Sequence, residues 1–411
     1  MTRPASFTVR ARALVPIAGQ PATQGWLRIR AGRICGLGTG SAGADALDVG
    51  DCIVLPGLVN AHTHLEFSTL ESPLAGEGGL PAWIARVVEL RRSRSETPQQ
   101  VAAALDRGLA ESAAAGVTSI GEISTGAWPT QACRHGPRVR VFREGLGLSE
   151  AAAEATRRAV HRDVARLAAA GIPAGISPHA PYSVSAPLGR SLLACARRLR
   201  LPAAMHLAES EAEAEFVAAG SGGFRTLLET LGAWPTAAPP RLLSAADWIS
   251  CLTRGPRGLV VHGTFLDDHA LARCACHRDR LSLVICPRTT RLLSGGLPPL
   301  ERFREAGIRV ALGTDSRASN PDLSVLAECR ALVDGGLASP AEALHMATVA
   351  GAWALGFERH AGLLAPGRPA DLVVLRPRGP WADPHEAALD PETRVVATLR
   401  AGRVIHGGLT G

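Results

Sequence analysis

Residues 53–68 read IVLPGLVNAHTHLEFS. An apolar run of strand length ends there in His62 and His64, with one residue between them. Alternate residues of a strand project to the same side, so both imidazoles can converge on one point. Seven further runs of this kind follow: GVTSIGEIS (116–124), RVRVFREG (138–145), GIPAGISPHA (171–180), LPAAMHLAE (201–209), GLVVHGTF (258–265), LSLVICPRT (281–289) and IRVALGTDS (308–316). Stretches rich in Ala, Leu and Arg separate them, among them 150–170, 186–200 and 322–335. Eight β/α repeats predict an α/β fold, a (β/α)₈ TIM barrel. A doubly wound open sheet is the second choice, weakened because no Gly-x-Gly-x-x-Gly follows the first strand.

Outside the repeats, residues 6–56 alternate short apolar strands with Gly-rich turns, and residues 362–408 do the same in DLVVLRP and RVVATLRAGRVIHGG. The two ends are expected to form one small β-sandwich. The expected organisation is therefore sandwich (1–56), barrel (57–361), sandwich (362–411). The first crossover, 65–115, is long. It holds a loop, LESPLAGEGGLP, and a helical segment, WIARVVELRRS. Long insertions at this face of a barrel commonly act as active-site lids.

The bulk numbers exclude several classes. Of 411 residues, 46% are hydrophobic and 20% charged, an ordinary globular composition. No apolar run approaches the ~20 residues that span a bilayer. The opening MTRPASFTVRARALV lacks the apolar segment of a signal peptide, so the cytoplasm is the default expectation. Nine scattered cysteines, an odd number, argue against a disulfide framework. Cys274, Cys276 and His277 read as ordinary helix residues. The net charge is +7, but the basic residues are dispersed and not interleaved with aromatics, which argues against nucleic acid as a partner. All 44 basic residues are arginine.

The chemistry-bearing residues sit at the ends of the runs. His62 and His64 end the first, His206 lies in the fifth, His262 in the sixth and Asp315 in the eighth. Barrel active sites are built at C-terminal strand ends. Three imidazoles and a carboxylate suit one divalent cation, Zn²⁺ first and Fe²⁺ second. His62, His64, His206 and Asp315 are the candidate ligands. Glu209 lies three residues past His206, and His179 follows the fourth run. Glu211, Glu213 and Glu215 read as solvated carboxylates in a first helical turn. Arg143, Arg288 and Arg317, near the ends of runs three, seven and eight, are candidates to hold a carboxylate or sugar hydroxyls, with Arg143 the best placed. Tyr182, the only tyrosine, stands near His179 as a candidate pocket wall.

The motifs GLVNAHTHLEFS, MHLAES, VVHGTFLDD and VALGTDSRASN, with the closing GLLAPGRPADLVVL, resemble the amidohydrolase superfamily, and within it the deaminase and chlorohydrolase-like branch. The resemblance covers essentially the whole chain. It implies that His62, His64, His206 and Asp315 bind the metal. It also implies that Glu209 shuttles protons, that His262 stands beside the attacking water, and that His179 contacts substrate. Binuclear members typically bridge two metals with a carbamylated lysine. This chain has none, which leaves a one-metal site. After the aspartate the chain reads SRASN, where many relatives have Gly or Asn.

The resemblance implies hydrolytic deamination of an amino-substituted heterocycle, a purine nucleoside-like compound such as aminodeoxyfutalosine or an adenosine- or guanine-type molecule. A metal-acidified water would attack, Asp315 would take its proton, and Glu209 would protonate the ring nitrogen. Hydrolysis of an amide or chloro-heterocycle at the same metal is the second enzymatic reading. A non-catalytic barrel scaffold is the third, and the intact ligand set argues against it. The resemblance also leaves open a homodimer, as barrels of this type are often dimers, although no interface is legible in the sequence.

Overall fold

The structure, a computed structural model, describes residues 6–94, 97–129, 135–235 and 240–409. Eight parallel strands follow one another in space as in sequence: β1 (Leu58–His64), β2 (Val117–Ser124), β3 (Arg138–Gly145), β4 (Ala174–Pro178), β5 (Ala203–Leu207), β6 (Gly258–His262), β7 (Leu281–Ile285) and β8, which has two pieces, Val310–Leu312 and Asp315–Ser316. The first piece of β8 pairs with β7 and the second with β1, so the sheet closes into a barrel. The eight runs read from the sequence are these eight strands. All but β3, whose Arg138 and Arg140 are half-buried, are buried along their whole length, which is why they read as largely apolar runs.

Two layers of side chains hold the barrel. Val59, Ala61, Ile123, Phe142, Ala204, Leu259, Val261, Val284 and Ala311 fill its interior, closed below by Ala350, Leu355 and Phe357. The alternate residues, such as Val139, Val141, Met205 and Val260, pack against the outer helices. The helices Glu150–Ala169, Ala186–Arg198 and Val325–Asp334 occupy the stretches expected from the sequence. Cys274 and Cys276 fall in the helix Asp268–Cys276, as ordinary helix residues.

The two chain ends form one mixed sheet. Its strands run in the order Arg403–Gly407, Arg394–Arg400, Leu372–Arg376, Ile53–Pro56, Ser6–Leu14, Ala22–Arg30, Arg33–Thr39, with Leu47–Asp48 beside Ser6–Leu14. The sandwich is this single sheet curled over. The edge strand Arg33–Thr39 returns to residues 367–370, where Ile34 N donates to Arg368 O at 2.9 Å. Leu372 and Val374 point into the sandwich core with Val9, Leu27 and Ile29. Val373 and Leu375 point the other way, into the barrel's packing. Both faces of DLVVL are therefore buried, and this sheet is fused to the flank of the barrel rather than tethered beside it.

The insertion in the first crossover forms the helix α1 (Gly79–Ser93), ahead of the crossover helix α2 (Pro98–Ala114). The capping box of α2, Thr97 with Gln100, fixes where it starts. α1 lies over the C-terminal mouth of the barrel. Trp83 Nε1 donates to Ala318 O at 3.1 Å and Leu74 N to the same oxygen at 2.9 Å, which ties the insertion to the loop after Asp315.

Candidate active site

The backbone departs from regular strand geometry at the points that aim the polar side chains. In β1, Val59 and Ala61 face the barrel interior. Strict alternation would turn His62 and His64 outward. Instead, Asn60 pairs with Ile120 and Thr63 with Glu122, three residues spanning two, and this bulge changes the phase of the strand. In β6, Leu259 and Val261 face inward, so alternation would send His262 out. Its φ of 68° re-aims it. Asp315 has φ 54° and Ala208, next to Glu209, φ 51°. Left-handed backbone at non-glycine residues costs about 1–3 kcal/mol each and clusters at functional sites. Gly313 makes the close approach of β8 to β1 feasible, since a Cβ there would lie 2.8 Å from His62 Cβ.

The result is a buried cluster. His62, His64 and His206 each bring a ring nitrogen to within 4.8 Å of the others. Asp315 Oδ1 lies 3.5 Å from His62 Nε2 and 3.6 Å from His64 Nε2. Its other oxygen, Oδ2, accepts from Ser319 Oγ at 2.6 Å. His206 Nδ1 lies 3.1 Å from His179 O, a bond that makes Nδ1 the donor and leaves Nε2 facing the cluster. Burial pushes the His62 imidazole down to about 3, and His64 and His206 well below the usual range, so all three are neutral and able to donate lone pairs. Both ring nitrogens of His62 are buried without a hydrogen-bond partner. Unpartnered buried nitrogens are costly, and a divalent cation resolves the cost. The donor set of three imidazoles and a carboxylate fits such an ion.

Beside the cluster stand Glu209 and His262, with Glu209 Oε1 3.5 Å from His262 Nε2. Burial raises the Glu209 carboxyl well above the ordinary range, with the carboxylates of Asp315 and Glu213 adding to it. Glu213 is not the solvated residue the sequence suggests. It is 2% exposed. Its carboxylate accepts from Ala208 N at 2.8 Å and Glu209 N at 3.1 Å, and so holds the strained turn that carries Glu209. Periodicity could not reveal this, because the bond runs backwards from a helix start into the strand end.

The pocket around these groups is walled by Phe67, Trp83, Ile84, Val87, Arg91, Glu144, His179, Tyr182 and Ser316. His179 and Tyr182 are where the sequence placed them. The ring of Tyr182 stacks on Phe224 with centroids 3.9 Å apart, and His179 Nδ1 is 2.6 Å from Ser183 Oγ. Arg143 corrects the expectation. It points outward with Val139 and Val141, donating through Nε to Asp163 Oδ2 at 2.8 Å and through Nη1 to the Ser124 and Glu144 carbonyls. The inward position at that strand end belongs to its neighbour Glu144. Arg288 is likewise committed to Asp322 and Glu328, and Arg317 to Glu111. The arginine at the pocket is Arg91, from α1, held by Glu66 at 2.7 Å. Trp83, Val87 and Arg91 share one face of α1, at i, i+4 and i+8, although the sequence reading did not single out Arg91.

These placements give a prediction. Arg143→Met breaks a buried ion pair, which costs about 3–5 kcal/mol. Thermal unfolding will shift down, while KM of the folded enzyme stays near the parent value. A raised KM with unchanged stability would return Arg143 to the pocket.

The Amidohydrolase family model matches residues 53–406. The chain belongs to the amidohydrolase family. A 5-methylthioadenosine/S-adenosylhomocysteine deaminase of Halobacterium salinarum is 32% identical over 363 residues, covering 84% of this chain and 78% of the relative. A 5′-deoxyadenosine deaminase of Methanothermobacter thermautotrophicus is 30% identical over 346 residues, covering 81% and 75%. Among solved structures, the Helicobacter pylori aminofutalosine deaminase in complex with methylthio-coformycin superposes with a TM-score of 0.86 at 25% identity, covering 97% of this chain and 99% of that one. This family member is a hydrolase of carbon–nitrogen bonds, and members of the family bind a divalent metal. Among the described residues, no helix is long and apolar enough to cross a membrane.

Proposed function

We propose that this amidohydrolase is a one-metal hydrolytic deaminase of a purine nucleoside, with His62, His64, His206 and Asp315 as ligands and zinc as the ion. The observation that carries the reading is Glu209, a buried acid facing His262 at the edge of the ligand cluster. When bound, the cation supplies a water acidified to near neutrality. Asp315, anchored through Oδ2 by Ser319, turns Oδ1 to His62 and His64, where it would face the ion and the proton of that water. His262, turned inward by its left-handed backbone, hydrogen-bonds the oxygen that adds to the ring. Glu209, whose carboxyl burial biases toward the protonated form, donates its proton to the ring nitrogen beside the attacked carbon; the departing amine takes the proton that Asp315 drew from the water, and the hydroxyl proton of the adduct returns to Glu209. Trp83, Phe67 and α1 close the mouth above this chemistry and keep bulk water out.

The pocket's shape supports a nucleoside carrying an apolar 5′ substituent. A second cavity of about 520 Å³ adjoins it, sharing Ile84, Val87, Arg91, His179 and Tyr182. Its further walls include Leu146, Leu148, Leu228 and Trp234. A ring held at the metal would send its 5′ arm between these side chains, with Arg91 the one arginine lining the passage among the described residues. Relatives named for methylthio- and deoxyadenosine substrates agree with such an arm.

Ammonia release decides the reading. 5′-Methylthioadenosine is expected to be deaminated with kcat/KM at least tenfold above adenosine, since burying a methylthio group contributes roughly 1.5 kcal/mol or more. If no purine nucleoside yields ammonia while a cyclic amide is opened, the deaminase reading fails.

A further inference from the structure

Glu144 is a residue of the pocket that no motif marked. It occupies the inward position near the end of β3, two residues past Phe142, and is 2% exposed. Its Oε1 is buried without a hydrogen-bond partner. A buried carboxylate oxygen lacking a donor costs free energy, and sites retain such groups where a ligand supplies the donor.

Two kinds of donor are available, a cation or an organic hydroxyl or amine. Glu144, His179 and His206 do bring ligand atoms within 4.8 Å of one another. A second cation is nevertheless poorly served there. His206 Nδ1 is engaged by His179 O and its Nε2 faces the first cluster, while His179 Nδ1 is engaged by Ser183. That leaves one carboxylate and one ring nitrogen, fewer than the three protein ligands a catalytic zinc site has. The nearby cation, Arg91, is bonded to Glu66 instead. The partner therefore comes with the substrate.

Its chemistry follows from position. Glu144 lines the pocket of the metal cluster, where the heterocycle would sit, and its carboxyl lies within 4.8 Å of a ring nitrogen of His179, which also walls the apolar cavity where the 5′ arm would lie. The part of a nucleoside between base and 5′ arm is the sugar. Burial raises the Glu144 carboxyl to about 8, and in either protonation state its two oxygens match two adjacent hydroxyls, as two acceptors or as donor and acceptor. We propose that Glu144 binds the 2′- and 3′-hydroxyls of the substrate's ribose, and so selects ribonucleosides over deoxynucleosides and free bases. This inference rests on the nucleoside reading above.

The test reads binding separately from turnover. In a Glu209→Gln background, the dissociation constants of 5′-methylthioadenosine and its 2′-deoxy analogue are measured by calorimetry, with and without Glu144→Gln, alongside metal content. The ribonucleoside is expected to bind tenfold or more tightly, since without its hydroxyls the buried Glu144 carboxyl is left unpaired. Glu144→Gln is expected to erase that preference while metal content stays unchanged. Glu144→Asp, with its carboxylate drawn back one methylene, should retain part of it. A preference that survives Glu144→Gln, an absent preference in the parent, or binding of neither nucleoside overturns the proposal. A fall in metal content on Glu144→Gln also overturns it and makes Glu144 a ligand. Ammonia release by the native enzyme, assayed in parallel, shows whether the deaminase reading stands independently of Glu144.

Discussion

Glu209→Gln is expected to lower kcat by about 10²- to 10⁴-fold while the protein keeps its metal. The substitution preserves volume and leaves the backbone bonds from Ala208 and Glu209 to Glu213 in place. It removes only the transferable proton. Burial holds that carboxyl well above its ordinary range, with the neighbouring carboxylates adding to the shift, which favours the proton-bearing form that the mechanism uses. Activity that depends on this acid is present below its pKa and lost as pH rises through it. The limb of the native pH–rate profile assigned to this acid should therefore vanish in Glu209→Gln. Steady-state kinetics with metal analysis measures both effects. Normal turnover in the variant would remove Glu209 from the mechanism. Glu213→Gln gives a companion result: one acceptor of the turn is weakened, and kcat is expected to fall less than in the Glu209 variant.

Removal of the metal has the second large effect. Dialysis against a chelator should abolish turnover and lower the unfolding midpoint, and added Zn²⁺ should restore both, with about one equivalent per chain. Two physical terms act together. The chemistry loses its acidified water. The apo fold keeps His62 and its neighbours buried without a partner, a cost the ion otherwise removes. Free zinc at 1,000 times its dissociation constant stabilises the fold by about 4 kcal/mol, so the midpoint should climb with the logarithm of zinc concentration. His206→Ala should reproduce the loss without chelator. Two equivalents per chain would contradict the one-metal site that the absence of lysine implies.

Much of this site was legible in the chain because barrel enzymes place their chemistry at strand ends, and strand ends can be found from apolar runs. His62, His64, His206, His262 and Asp315 all lie where a run stops. Arg143 and Glu144 mark the limit. Both end the same run, and only the phase of β3, set by its packing between β2 and β4, decides that Glu144 enters the pocket while Arg143 pairs with Asp163. Glu213 and Arg91 escaped for a related reason. One caps a turn behind it in sequence, and the other arrives from an inserted helix whose path across the barrel mouth no periodicity describes.

The sequence by itself determined the eight-strand barrel, the pairing of the chain ends in one β unit, the candidate ligands we propose and the family, because apolar period and the spacing of chemical groups are local properties. Only the tertiary structure decided which way each polar side chain faces. The bulge after Asn60 and the left-handed backbone at His262 and Asp315 override strand alternation, and such strain persists only where surrounding packing over-determines it. Residues 62–64, His-Thr-His, thus mark the proposed metal site in one dimension, and closure of β8 onto β1 brings Asp315 to it in three.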